Sequence, residues 1–243
     1  MIGSAMGAPD RFTTPLYTVT EAARYLDVPA STLATWTHGY RMQAPGRREV
    51  IGAAVLTALP RSGGRGPVIP FVGLAEGLVL TAMRSSGVPL QRIRPALMRL
   101  EKELGLAHAL ASKSLYTDGA EVLYDYAVRG DDPTAARAAR DLVVVRNNQR
   151  VFNEIVDGYL RRLDFGDDGY ARLIHLPAYA MADIVVDPMR GFGQPIFARG
   201  GARIEDALSL FRAGEPLEAV AEEYGIPPVQ LEDAVRIATR VAA

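Results

Sequence analysis

Tyr17-Thr18-Val19-Thr20-Glu21-Ala22-Ala23-Arg24-Tyr25-Leu26, followed by Asp27-Val28-Pro29-Ala30-Ser31-Thr32-Leu33, is the stretch on which the fold reading turns. Thr18 with Glu21 is a capping box, in which a hydroxyl and a carboxylate each satisfy a backbone N–H freed at a helix start. Val19, Ala22, Ala23 and Leu26 then fall at i, i+3, i+4 and i+7, the apolar face of a short helix. Pro29 opens a second helix over residues 30–37, because its missing N–H is one the first turn leaves unpaired anyway. Leu33 faces inward, while Ser31, Thr32, Thr35 and Trp36 are read on the outward side. Two short helices across a tight turn predict a helix-turn-helix.

The sequel strengthens that reading. Val55–Leu59 and Val68–Phe71 read as two short strands, joined by a glycine-rich tip carrying Arg61 and Arg65. A helix pair followed by such a hairpin is a winged arrangement, and arginines at the tip suit phosphates. Residues 15–104 hold eleven Lys+Arg against six Asp+Glu, a net of +5, whereas residues 191–243 hold five against eight, a net of −3. The two ends are therefore expected to meet different partners.

Over all 243 residues the charges nearly cancel, 27 Lys+Arg against 28 Asp+Glu, and all but Lys102 and Lys113 of the basic residues are arginines. Cysteine is absent, which removes disulfides, thiolate metal sites and a Cys nucleophile. His38, His108 and His175 are scattered, so a zinc site or a Ser-His-Asp triad has little to draw on. No general acid/base pair, nucleophile elbow or phosphate loop is present, and the isolated Gly191-Phe192-Gly193 lacks dinucleotide-fingerprint spacing. Asp164, Asp167 and Asp168 lack the Ca-loop pattern and fit turn geometry better. The expectation is a protein with no enzymatic activity, no cofactor and no metal. No apolar run approaches the ~20 residues that span a bilayer, and no signal peptide is recognisable, so a cytoplasmic location and no membrane partner are expected. Residues 1–14 are read as a tag remnant or disordered arm.

The fold class read from these patterns is α+β. It comprises an N-terminal winged helix-turn-helix (15–72) with a helical extension (73–111), a central small antiparallel β-sheet (112–190) and a C-terminal three-helix, helix-turn-helix-like bundle (191–243). In the extension, Leu74, Leu78, Val79, Ala82 and Met83 line one helix, and Ile93, Leu97, Leu100 and Leu104 line another. In the central region Asp118-Gly119, Asn147-Asn148 and Asp168-Gly169 read as hairpin turns, with residues 131–140 as an exposed helix or loop. At the end, Ile204/Ala207/Leu208/Phe211, Leu217/Val220/Ala221/Tyr224 and Leu231/Ala234/Val235/Ala238 form three stripes punctuated by Gly and Pro.

Residues 17–23 with 28–33 resemble the winged helix-turn-helix of MerR-type regulators. Those regulators usually carry Arg directly after the Thr-Leu pair, where this chain has Ala34, so Arg41, Arg47 and Arg48 are the expected substitutes. Ile184-Val185-Val186-Asp187-Pro188, Gly193-Gln194-Pro195-Ile196-Phe197, Gly201-Ala202-Arg203-Ile204 and Ala213-Gly214-Glu215-Pro216-Leu217 resemble a small domain found in many bacterial antitoxins. The order of these motifs is similar to that of VapB-like antitoxins. The resemblance implies operator DNA and a PIN-type ribonuclease toxin as partners, autorepression, and a homodimer reading paired half-sites. Arg199 or Arg203 would then reach the toxin's acidic site, since a guanidinium pairs carboxylates bidentately. The alternative reading is a stand-alone MerR-like regulator answering a small molecule.

Overall fold

Thr18 starts the first helix as its side chain requires. Its hydroxyl accepts from the Glu21 amide at 3.2 Å, and the Glu21 carboxylate accepts from the Thr18 amide at 2.9 Å, opening α1 (Val19–Tyr25). The computed structural model describes residues 9–43, 49–61, 66–146 and 149–242. Asp27, at φ 54°, turns the chain into α2 (Ala30–His38), and Ala22, Ala23, Leu26 and Leu33 are buried between the two helices and the core.

Beyond α2, β1 (Tyr40–Met42) pairs antiparallel with β2 (Val50–Gly52), Arg41 standing opposite Ile51. Gly39 makes the junction possible: at φ 70°, a Cβ there would lie 2.3 Å from the Gly52 carbonyl oxygen. The hairpin thus precedes the segment expected to form it. Val55–Leu59 and Val68–Phe71 are not strands. The amides of Val55 and Leu56 donate instead to the Trp36 carbonyl, at 2.9 and 3.2 Å, and Leu56 is buried as part of the core. A hydrogen bond from Leu59 to Val68 (2.7 Å) still closes the connection, and Ile69 bridges Tyr17.

The helical extension matches its periodicity. α3 (Phe71–Ser85) is buried from Phe71 through Met83, the behaviour of a helix apolar on all sides. α4 (Leu90–Leu104) is amphipathic, with Ala96, Leu97 and Leu100 inside and Met98 outside.

The central region departs from expectation. Asp118-Gly119 is not a hairpin turn but the middle of α5 (Lys113–Arg129). Gly119 is small there because neighbours leave no room: an added Cβ would sit 2.8 Å from Leu115 and 3.3 Å from Phe152. Asp132 caps α6 (Pro133–Asp141), accepting from the amides of Thr134 and Ala135 at 2.9 and 3.1 Å, so the segment read as an exposed helix or loop is a helix with a buried alanine face. The second predicted hairpin is present, β3 (Val143–Arg146) against β4 (Gln149–Phe152). After α7 (Glu154–Leu160), a four-stranded antiparallel sheet runs β5 (Leu163–Phe165), β6 (Ala171–His175), β7 (Ile184–Val186) and β8 (Ile196–Phe197) in sequence order. The sheet therefore continues beyond residue 190, while three helices occupy much of the segment expected to be β. Three helices close the chain, α8 (Ile204–Arg212), α9 (Leu217–Glu223) and α10 (Pro228–Ala242), with Ile204, Ala207, Leu208, Val220, Ala221, Leu231 and Ala234 buried among them.

Candidate nucleic-acid and partner interfaces

α2 presents Ser31, Thr35 and His38 at i, i+4 and i+7, so the three share one face, with Thr32 half-buried beside it. Ser31 and His38 are exposed, and the Thr35 hydroxyl donates to the Ser31 carbonyl at 2.9 Å, leaving its lone pairs outward. His38 was legible only from the helix phase, since it is the last residue of the helix. Trp36, expected outside, is 3% exposed. Its indole belongs to the core, and it cannot touch a base without unfolding the helix pair.

Arg41 is exposed on β1, the strand that leaves α2. Arg47 and Arg48 lie in the connection of this hairpin and outside the described residues, as does Arg65. Arg61 is exposed, but on the connector after the hairpin rather than at its tip. Tyr40 on the same hairpin is stacked by Arg94 of α4, whose guanidinium carbon lies 6.0 Å from the ring centroid. Arg99 pairs with Glu103 one turn on, and Arg92 is exposed.

A buried carboxylate anchors the chain behind the hairpin. Glu76 of α3, 4% exposed, accepts from the Thr57 amide on Oε2 at 2.7 Å and from the Thr57 hydroxyl on Oε1 at 3.0 Å, with His108 Nδ1 also 3.0 Å from Oε1. The hydrogen bond to Glu76 holds the His108 imidazolium above the usual histidine range, against the opposing effect of burial. A raised folded pKa contributes stability that is complete below the unfolded value of about 6.5 and is lost as pH rises through the folded value. Stability measured by denaturant should therefore fall as pH rises above about 6.5, and Glu76→Gln should flatten that part of the profile. An unchanged slope in the variant would refute the assignment.

The C-terminal part is fastened to the helix pair. The buried Tyr17 hydroxyl, immediately before α1, donates to the Gly193 carbonyl at 2.9 Å. Between α1 and α8 lies a cleft of about 610 Å3, bordered by Glu21, Arg24, Tyr25, Tyr179, Arg203 and Arg212. Arg203 forms a bidentate pair with Asp206, at 2.9 and 3.2 Å. The chain reversal at Gly200-Gly201 after β8, which brings Arg203 back beside Ile196, separates the two arginines expected to act as alternatives. Arg203 lies beside Gly191 at one end of β8, and Arg199 is exposed in the turn after the other end, with no ion pair among the described residues.

Glu232 and Asp233 are neighbours in the first turns of α10. Only Glu232 is exposed. Asp233, 2% exposed, turns inward, accepts from the amides of Met181 and Ala182 at 2.7 and 2.9 Å and pairs with Arg236. Burial alone would raise its pKa, but the two amides and Arg236 together hold the carboxyl below the usual range. Of the aspartates weighed as a cation site, Asp168 pairs with Arg11 and Asp164 lies 3.7 Å from Arg172.

Gly191-Phe192-Gly193, which lacks dinucleotide-fingerprint spacing, forms the loop before β8. Gly191, Phe192 and Gly193 all occupy the left-handed region, at φ 58°, 52° and 75°. For phenylalanine that conformation costs about 1–3 kcal/mol. Its ring is 63% exposed, and Met189 beside it is 71% exposed.

A family model described as "Putative DNA-binding HTH domain" matches residues 15–97, the helix pair, hairpin and most of the helical extension. The chain is 50% identical over 226 residues to "Putative antitoxin VapB45" of Mycobacterium tuberculosis, an alignment spanning 93% of this chain and 94% of that protein. The chain belongs to the VapB45 antitoxin family. The crystal structure of Rv2018 from M. tuberculosis superposes with a TM-score of 0.80 at 48% identity, over 93% of this chain and all of that one. "Uncharacterized protein Rv2308" of the same organism is 26% identical over 241 residues, 94% of each chain. Within the VapB45 family the N-terminal helix pair is thus a helix-turn-helix domain, joined to helices and small antiparallel sheets in an α+β fold. Among the described residues no helix is long and apolar enough to cross a membrane.

Proposed function

We propose that this chain is a DNA-binding antitoxin without catalytic activity, which represses its own operon as a homodimer and neutralises a PIN-type ribonuclease. The observation that carries the reading is the nearly full-length similarity to a VapB45 antitoxin together with the N-terminal helix-turn-helix domain. DNA is assigned to residues 15–72. Ser31, Thr32, Thr35 and His38 reach base edges, and Arg41, Arg47, Arg48, Arg61 and Arg65 hold phosphates. The toxin is assigned to residues 191–243, with Arg203 or Arg199 entering its acidic site.

Two measurements test this. Where a small nuclease is encoded beside the gene, co-expression with it should restore growth, with the two proteins co-purifying. In a gel-shift salt series, Arg41→Ala should weaken binding to all sequences and reduce the slope of log affinity against log salt by about one unit, the loss of one phosphate contact. A slope that responds to Arg61→Ala and ignores Arg41→Ala would place the phosphate contacts on the connector and remove them from the hairpin.

A further inference from the structure

We propose that the cavity between α4 and the segment after β2 binds a linear amphipathic zwitterion, its carboxylate on Arg94 and its ammonium on Glu101. The cavity holds about 330 Å3, within the size range of small-ligand sites. One wall is a single face of α4. Arg94, Leu97, Met98 and Glu101 fall at i, i+3, i+4 and i+7, so a cation and a carboxylate stand about 10 Å apart with apolar side chains between them. The facing wall is the stretch over residues 54–57. Its amides at Val55 and Leu56 are taken by the Trp36 carbonyl, and that of Thr57 by Glu76. Recognition therefore falls to side chains.

Arg94 is the residue that calls for a ligand. Its Nε and Nη1 are buried without a hydrogen-bond partner, and among the described residues no carboxylate pairs with it. The guanidinium lies only against the Tyr40 ring. Burial holds it below its usual range, as expected of a cation for which the fold supplies no counter-charge. Buried N–H groups left without an acceptor cost their full desolvation penalty, and native folds leave few of them unanswered. At the other end Glu76 is spent on Thr57 and His108, which leaves Glu101, at the mouth, as the carboxylate open to a ligand. Partial burial and the Glu76 charge raise the pKa of Glu101 against the opposing effect of His108, so a cation beside it would be favourable.

The two ends together select the occupant. A simple anion would answer Arg94 and leave Glu101 unmatched, and a simple amine would do the reverse. A chain with a carboxylate and an ammonium about 10 Å apart answers both, the spacing being two turns of α4. Val55, Leu56 and Leu110 then cover its methylenes. Such a site is independent of the antitoxin reading.

Calorimetry on the full chain with ω-aminooctanoate, octanoate and octylamine tests the site. The zwitterion is expected to bind tightest. Arg94→Met should weaken ω-aminooctanoate and octanoate about tenfold or more and leave octylamine unchanged. Glu101→Gln should weaken ω-aminooctanoate and octylamine about two- to fivefold and spare octanoate, since the mouth is more exposed. Arg94→Met should also keep or raise the melting temperature, because an apolar chain replaces a buried cation that has no partner. A marked fall in melting temperature would show the guanidinium to be satisfied within the chain and would overturn the site. Probe binding indifferent to both substitutions, or no binding at millimolar concentration, would overturn it as well. Loss of operator binding in Arg94→Met, with no probe bound by wild type, would give the guanidinium to a DNA phosphate instead.

Discussion

Asp233→Ala is expected to lower stability by about 2–4 kcal/mol, whereas Glu232→Ala, its immediate neighbour, should stay within about 0.5 kcal/mol. The difference follows from where the two carboxylates point. Removing the inward one strips the acceptor from the amides of Met181 and Ala182 and leaves Arg236 without its partner. A deserted buried donor costs its full desolvation penalty, about 1–3 kcal/mol. For a chain of this length the melting temperature should drop by about 5–15 °C. The pH dependence has a fixed sign. A lowered folded pKa contributes stability that is present above the unfolded value of about 3.9 and is lost as pH falls through the folded value. Wild type should therefore lose this contribution only in strong acid, and the alanine variant should show no such loss. Equal effects at positions 232 and 233 would refute the inward placement.

Gly193→Ala is expected to damage both ends of the molecule. At φ 75° an alanine is strained by about 1–2 kcal/mol, and its Cβ would lie 2.7 Å from the Tyr17 hydroxyl and 3.0 Å from Leu16. Either the loop retreats and the buried hydroxyl loses its acceptor, or residue 17 moves and carries the start of α1 with it. The expected loss is about 2–4 kcal/mol, with weakened operator binding although residue 193 lies far from the helix pair in sequence. Tyr17→Phe in the same chain removes the clashing oxygen and should recover part of the loss. Absence of any recovery in thermal melts would show that the strain is purely local.

How much of this was legible in advance depended on whether a signal was local. The capping box at Thr18, the stripes of α3 and α4 and the Pro- and Gly-punctuated helices α8–α10 are local patterns, and each appears where its spacing places it. Asp118-Gly119 failed because the same dipeptide serves two purposes: a turn when solvent surrounds it, and close packing when Leu115 and Phe152 do. The hairpin was sought at Val55–Leu59 because β-branched and apolar residues cluster there. Those residues are used instead as a lid over α2 and Glu76, while Tyr40 and Ile51 make shorter strands with little sequence signal. Trp36 was placed outside because helix phase alone could not say how wide the buried face is. Asp233 could not be told from Glu232, since its partners lie about fifty residues earlier in the chain.

The hydrogen bond from Tyr17 to Gly193 joins residues 176 positions apart. On a ribosome adding about 5–20 residues per second, the tyrosine waits roughly 10–35 s for its acceptor to be synthesised. During that interval the Tyr17 hydroxyl lacks the Gly193 carbonyl to which it donates in the complete chain. On the proposed function, operator binding would thereby wait for completed translation. A truncated message or a stalled ribosome would yield a head that is made early but settles late, and repression would report on finished antitoxin rather than on antitoxin in progress.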